Sequence, residues 1–200
     1  MFTDRSTVRR IALTAAAGAG ALTLLAACGG GDRPAADGGP TASVQPSASF
    51  NDTDVAFAQM MIPHHRQAVE MAELAGTRAA DAEVKALAAK IKAAQDPEIA
   101  TMTGWLAAWG RPVEPGEGHG GHGVAGMTSE DDMAALEQAR GAAFDRMFTE
   151  LMTAHHQGAI EMARTEQARG ASPEARQLAK TIELAQQAEV DQMSQLIDRL

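Results

Sequence analysis

From about residue 51 onward, apolar side chains recur every three or four positions in long stretches separated by short polar breaks. That period is the mark of amphipathic helices. It predicts a first helix from about Thr53 to Leu74, with Asn51 or Asp52 as N-cap and a break beginning at Gly76-Thr77. A second runs from about Ala82 to Trp109, capped by Asp81 and stopped by Gly110 and Pro112. A third begins near Ser129, with acidic residues in its first turn. Ser172-Pro173-Glu174 opens the last, an N-cap followed by Pro at the first helical position. Pro63 and Pro97 fall inside predicted helices, so kinks are expected there, with a break near Asp96.

The pattern also repeats. Shifting the chain by 91 residues lays Asp54 on Asp145, Phe57 on Phe148, Met61 on Met152 and His64-His65 on His155-His156. Glu70-Met71-Ala72 falls on Glu161-Met162-Ala163, Glu98 on Glu189, and Met102 on Met193. Over 57–106 against 148–197, 18 of 50 positions are identical without a gap. Shared Ala-rich composition cannot align His-His and Glu-Met at one fixed offset, so this is a duplication. Two duplicated helical hairpins predict an all-α, four-helix bundle of ferritin-like type. Repeat 1 spans about 51–109, a loop 110–128, and repeat 2 about 129–200.

The N-terminal 50 residues read differently. Arg5, Arg9 and Arg10 precede an uncharged run from Ile11 to Ala27, which ends in Leu25-Ala26-Ala27-Cys28. This is the layout of a secretory signal. Its last four residues resemble a bacterial lipobox, in which the Cys becomes the lipidated first residue. Residues 1–27 are thus read as a lipoprotein signal peptide, with Sec and twin-arginine export both open. Residues 28–49, rich in Gly, Pro, Ala and Ser, are read as the lipidated Cys28 and a flexible tether. The expected location is the outer face of the cytoplasmic membrane.

The formal charge is −9, and about −11 once residues 1–27 are removed. That acidic balance excludes nucleic acid as a partner. A single Cys excludes a disulfide framework and a cysteine-based zinc cluster. No nucleophile elbow, phosphate-binding Gly loop or H-E-x-x-H pattern is present, so no enzyme is predicted.

What remains is chemistry carried by 11 Met and six His. On a helical wheel, Phe57, Met61, His64, Ala68 and Met71 share one face, with His65 and Asp54 on its shoulder. Phe148, Met152, His155, Ala159, Met162, His156 and Asp145 rebuild it, although Leu151 replaces Met60. The partner helices carry a stripe of Leu87, Ile91, Ala94, Glu98 and Met102, repeated as Leu178, Ile182, Ala185, Glu189 and Met193. Glu98 and Glu189 are placed to orient the imidazoles of the opposing helix. Thioether sulfur with imidazole nitrogen is a soft donor set that favours Cu(I); zinc stays open through His with Glu or Asp. The Met61, His64, His65, Met71, Met152, His155, His156 and Met162 set is the candidate metal site. Asp54, Glu98, Met102, Asp145, Glu189 and Met193 are supporting groups or further ligands. His119 and His122 in the Gly-rich loop are either a weaker metal site or incidental. The carboxylates of a di-iron site are mostly missing, which argues against oxygen-activating chemistry. The alternative is a bundle without metal whose Met and His residues only fill the core.

The run Phe57-x3-Met61-Ile62-Pro63-His64-His65-x2-Ala68-x2-Met71-Ala72, with the second His-His at 155–156 and Met162, resembles the bacterial domain-of-unknown-function 305 family. The likeness covers about residues 50 to 200. It implies a ferritin-like four-helix bundle, export, and copper binding or tolerance outside the cytoplasm, through the eight Met and His positions just named. A copper-transfer partner and self-association are both left open.

Overall fold

In the computed structural model, the described residues are 49–114 and 125–200; the signal segment, Cys28, most of the tether, His119 and His122 lie outside them. Five helices follow in order: α1 (Asp52–Arg78), α2 (Ala82–Ala108), α3 (Glu130–Gln138), α4 (Ala142–Arg169) and α5 (Pro173–Ile197). α1 pairs with α2 and α4 with α5 as hairpins, and α1 lies against α4 as the central seam. The fold is therefore the all-α bundle of two paired hairpins that the duplication predicts, with a short extra helix. Among the described residues, no helix is long and apolar enough to cross a membrane.

The starts of the helices follow from their caps. Asn51 accepts from the backbone N–H groups of Thr53 and Asp54 while Asp54 accepts from the Asn51 N–H, a reciprocal capping box. Asp81 caps α2 through Glu83 and Val84, and Ser172 caps α5 ahead of Pro173. Other expectations need correction. α1 runs on through Gly76 and Thr77 to Arg78, because Ala75 and Ala79 are buried and Ala79 N–H bonds to the Ala75 carbonyl. Burial outweighs the propensity penalty of one exposed Gly, about 1 kcal/mol. The third predicted helix is two: Ser129 caps only α3, and α4 restarts after Gly141, whose φ of 62° lies in the left-handed region open to glycine. The α2 helix has no break near Asp96. Pro97 leaves the Ala93 carbonyl without its helical donor, but Ala93 is exposed and water can serve it. Pro63 likewise lies within an uninterrupted α1.

Asp54 and Asp145 have a role that the wheel did not foresee. Asp54 accepts from the N–H groups of Ala171 and Ser172, in the turn of the other hairpin, at 3.1 and 2.8 Å. Asp145 accepts from Ala80 and Asp81, in the turn of the first hairpin, at 3.1 and 2.9 Å. Each repeat thus clasps the turn of its partner. Both carboxylates are buried, and a charged acceptor is worth roughly twice a neutral one.

The core has three tiers. One apolar cluster holds Met71, Leu87, Ile91, Phe144, Phe148, Met152 and Met193. The other holds Phe57, Met61, Ile62, Met102, Ala159, Met162 and Ile182. Along every long helix, buried polar residues fall between the members of these two clusters: His64 and His65, Gln95, His155 and His156, Gln186 and Glu189; Asp54, Asp145, Thr149 and Glu166 are buried elsewhere on α1 and α4. The stripe on α2 and α5 differs from expectation at one position in each helix, while Leu87, Ile91, Met102, Ile182, Glu189 and Met193 are buried as expected. Gln95 and Gln186 are buried, whereas Ala94 and Ala185 face solvent.

The clasp is testable. Asp145→Ala removes the carboxylate acceptor of two part-buried turn amides, and at roughly 1.5–3 kcal/mol for a hydrogen bond to a charged group, lessened by water, the fold should lose about 1–3 kcal/mol. Chemical denaturation monitored by circular dichroism reads this directly; an unchanged midpoint would remove the clasp as a stabilising device.

Candidate metal centre

Four imidazoles meet at the middle tier. All are 0–1% exposed. The rings of His64 and His155 face each other across the α1–α4 seam, centroids 3.7 Å apart. His65 Nε2 lies 2.8 Å from Glu98 Oε2, and His156 Nε2 lies 2.8 Å from Glu189 Oε2. The sequence placed Glu98 and Glu189 as orienting groups, and the structure puts both there. His64 Nε2 lies 3.2 Å from the carbonyl oxygen of Ala125.

These contacts set the tautomers. A carboxylate or carbonyl only accepts, so each Nε2 carries the proton and donates. The Nδ1 atoms of His64, His65 and His156 are then bare lone pairs. All three are buried without a partner, as are both ring nitrogens of His155. Five unpartnered imidazole nitrogens in one tier is a large desolvation cost. Burial favours the neutral form of three of the rings. It pushes His64 down to about 3, aided by His65, and His155 down to about 2, aided by His64. His156 is lowered by burial too, against the pull of Glu189. Burial would raise the Glu189 carboxyl, but the His156 contact and the Lys90 ammonium, 3.4 Å away, hold it below its ordinary value.

The thioethers are not equivalent. Met61 and Met152 stand one turn from His64 and His155. The His65–Glu98 contact sets the register of α1 against α2, which brings Met102 level with Met61; the His156–Glu189 contact brings Met193 level with Met152. All four are fully buried. Met71 and Met162 lie seven residues from His64 and His155, about 10 Å along the helix axis. Met71 Sδ accepts from the Thr128 hydroxyl at 3.6 Å, and Met162 lines a cavity of about 560 Å³ with Phe57, Met60, Ala125 and Glu166. The geometry therefore places Met102 and Met193 nearer the imidazole tier than Met71 and Met162. Asp54 and Asp145 are ten residues from the imidazoles, about 15 Å along the axis, with their oxygens on turn amides. They are not at the centre.

Among the described residues, no three His, Cys, Asp or Glu side chains surround a common point. A tetrahedral zinc site of imidazole and carboxylate is thus not preformed. The donors at hand are bare imidazole nitrogens and thioethers, which suit a soft monovalent cation.

One buried acid was missed in the sequence. Glu166, fully buried, sits against Asp54, and its oxygens receive no N–H or O–H donor. Two acceptor carboxyls side by side require a proton between them. Burial, then Asp54, pushes Glu166 up to about 8, while Asp54 is held low by Glu166 and turn amides against its burial. Its repeat equivalent is Ala75, so the duplication pattern concealed it.

An all-helical bundle with a buried imidazole tier between thioether-bearing clusters is the class that the fold and site define. The chain belongs to the DUF305 family, a domain of unknown function whose model matches residues 54–197. A protein from Streptomyces coelicolor named as a secreted DUF305 protein is 31% identical, with a TM-score of 0.70 over 74% of this chain and 93% of its own. A DUF305 fragment from Deinococcus radiodurans is 31% identical, with a TM-score of 0.68 over 76% and 99%. CopM in a Cu(II)-bound form is 38% identical, with a TM-score of 0.64 over 73% and 96%. CopM has also been solved with Cu(I) and with silver. No curated protein matches the chain.

Two pH effects of opposite sign follow. The folded imidazoles of His64 and His155 resist protonation below their ordinary value of 6.5. Their neutral burial thus supports the fold above pH 6.5, and that support is lost as pH falls toward 3. Glu166 keeps its proton in the fold up to about 8 against an ordinary 4.5, so its contribution is full below 4.5 and is lost as pH rises toward 8. Between pH 6.5 and 8 the Glu166 effect governs. Denaturation midpoints should fall across that window in the native chain and stay level in Glu166→Gln; parallel slopes would contradict the shared proton.

Proposed function

We propose that this chain is an exported, lipid-anchored protein that binds Cu(I) at its central tier and sequesters it or hands it to a partner outside the cytoplasm. The observation that carries the reading is the five buried imidazole nitrogens that lack a partner, three of them on rings whose other nitrogen is held by Glu98, Glu189 or Ala125. Outer groups that hold one nitrogen and leave the other bare are how proteins prepare imidazole ligands. A bound soft ion supplies the acceptor of lone pairs that the apo core lacks. His64, His65, His155 and His156 would hold it, with Met61, Met102, Met152 and Met193 as adjacent thioethers and Met71 and Met162 further out. The neutral rings carry no protons that an ion must displace.

Two further facts support the reading. CopM, 35% identical in its Cu(I)-bound and silver-bound forms, binds soft ions. The N-terminal run resembles a lipobox ending at Cys28, which would give the chain its address and its membrane anchor.

Titration of the chain with Cu(I) under reducing, anaerobic conditions tests this against a His64/His65/His155/His156→Ala variant. The native chain should bind tightly, and the variant should lose that affinity. At free ion 100-fold above Kd, linkage adds about 2.7 kcal/mol, a rise in Tm of about 5–10 °C. Equal affinity and stoichiometry in both chains would leave only a structural bundle.

A further inference from the structure

The chain segment that ends the long loop hydrogen-bonds to one half of the centre only. Ala125 to Thr128 crosses the α1–α4 seam. Its Ala125 carbonyl accepts from His64 Nε2, and its Thr128 hydroxyl donates to Met71 Sδ. Two devices hold it down. Gln67 clasps Thr128 from both sides: Gln67 Nε2 donates to the Thr128 carbonyl at 3.0 Å, and Thr128 N–H donates to Gln67 Oε1 at 2.8 Å. Gly158 provides clearance. A Cβ there would lie 2.0 Å from the Ala125 oxygen and 2.8 Å from Gly126 Cα. Gly126 itself has a φ of 81° and would meet the Ala154 carbonyl oxygen at 2.8 Å with any side chain.

Gln67 and Gly158 occupy the same position of the two repeats. The duplication therefore diverged at this pair, and both members serve the same segment. The consequence is asymmetry: His155, the counterpart of His64, has neither ring nitrogen partnered.

We infer that the Ala125–Thr128 strap is a positioning element of the metal centre: by seating its carbonyl on His64 it commits that ring to offer Nδ1, and it makes the two halves of the centre unequal ligands. This rests on the metal-binding reading above. A ring fixed by an outer acceptor has less freedom to lose on binding and is a more basic donor. The His64 half is thus prepared in advance, whereas the His155 half orders only when the ion arrives.

Gly158→Ala and Gln67→Ala test this in the full chain. Ala is a better helix former than Gly, so α4 keeps its helix in the first variant and only the strap is displaced. Gln67→Ala releases the strap without a clash and guards against misfolding in the first. The first readout needs no ion: long-range 15N–1H spectra of the apo chain should show His64 as the Nε2–H tautomer, and a mixture in both variants. The second is competition for Ag(I), where both variants should bind 10–100-fold more weakly, as loss of an outer partner does elsewhere. A native chain that takes up no Ag(I) overturns the metal-binding reading and this inference with it. A native chain that binds, with variants that match it in affinity and in His64 tautomer, overturns this inference alone.

Discussion

The structure depends on the burial of four imidazoles at mid-height in a helical bundle. An apolar core has no use for such a tier, and each unpaired ring nitrogen there costs desolvation that packing does not return. Other features arrange themselves around that constraint. Glu98 and Glu189 each accept a hydrogen bond from a ring on their own hairpin, and the Ala125 carbonyl accepts one from His64. The apolar clusters are divided in two by the tier rather than fused through it. The Met residues concentrate on its two borders, where an adaptable thioether can fill space in one state and donate a lone pair in another.

Much of this was legible in the sequence, because a duplication states the same design twice. The fixed offset of 91 identified the His doublets, the paired Met and the Glu residues as a set. The helical period placed them on facing surfaces. What the wheel could not supply was height. Asp54 shares an angle with His65 but stands about three turns away, so a ligand candidate became a turn clasp. The reverse held for Met102 and Met193, whose level with the imidazoles emerged only from the register of the hairpins. At one position of each partner helix the core takes Gln95 and Gln186 where the wheel had placed Ala94 and Ala185.

Features that break the repeat were harder to see than those that obey it. Glu166 stands opposite Ala75, and Gly158 opposite Gln67, so alignment of the halves offered no partner to compare. Glu166 meets Asp54 only through the tertiary fold, and the Ala125 carbonyl reaches His64 as backbone, which no side-chain pattern records. The third helix of the pattern is two because α3 ends in extended backbone at Ala139, and Gly141, ordinary in sequence, adopts a left-handed angle just before α4 starts.

The crossed clasps of Asp54 and Asp145 bear on how such a chain can arise. Each hairpin's turn is held by a carboxylate from the other hairpin, so neither is self-sufficient, and the exchange is reciprocal. Reciprocal exchange between like surfaces is the geometry of an isologous dimer. A half-length ancestor would have closed its turn only by pairing with a second copy. Joining two such halves in one chain makes the exchange independent of concentration and leaves the two halves able to differ.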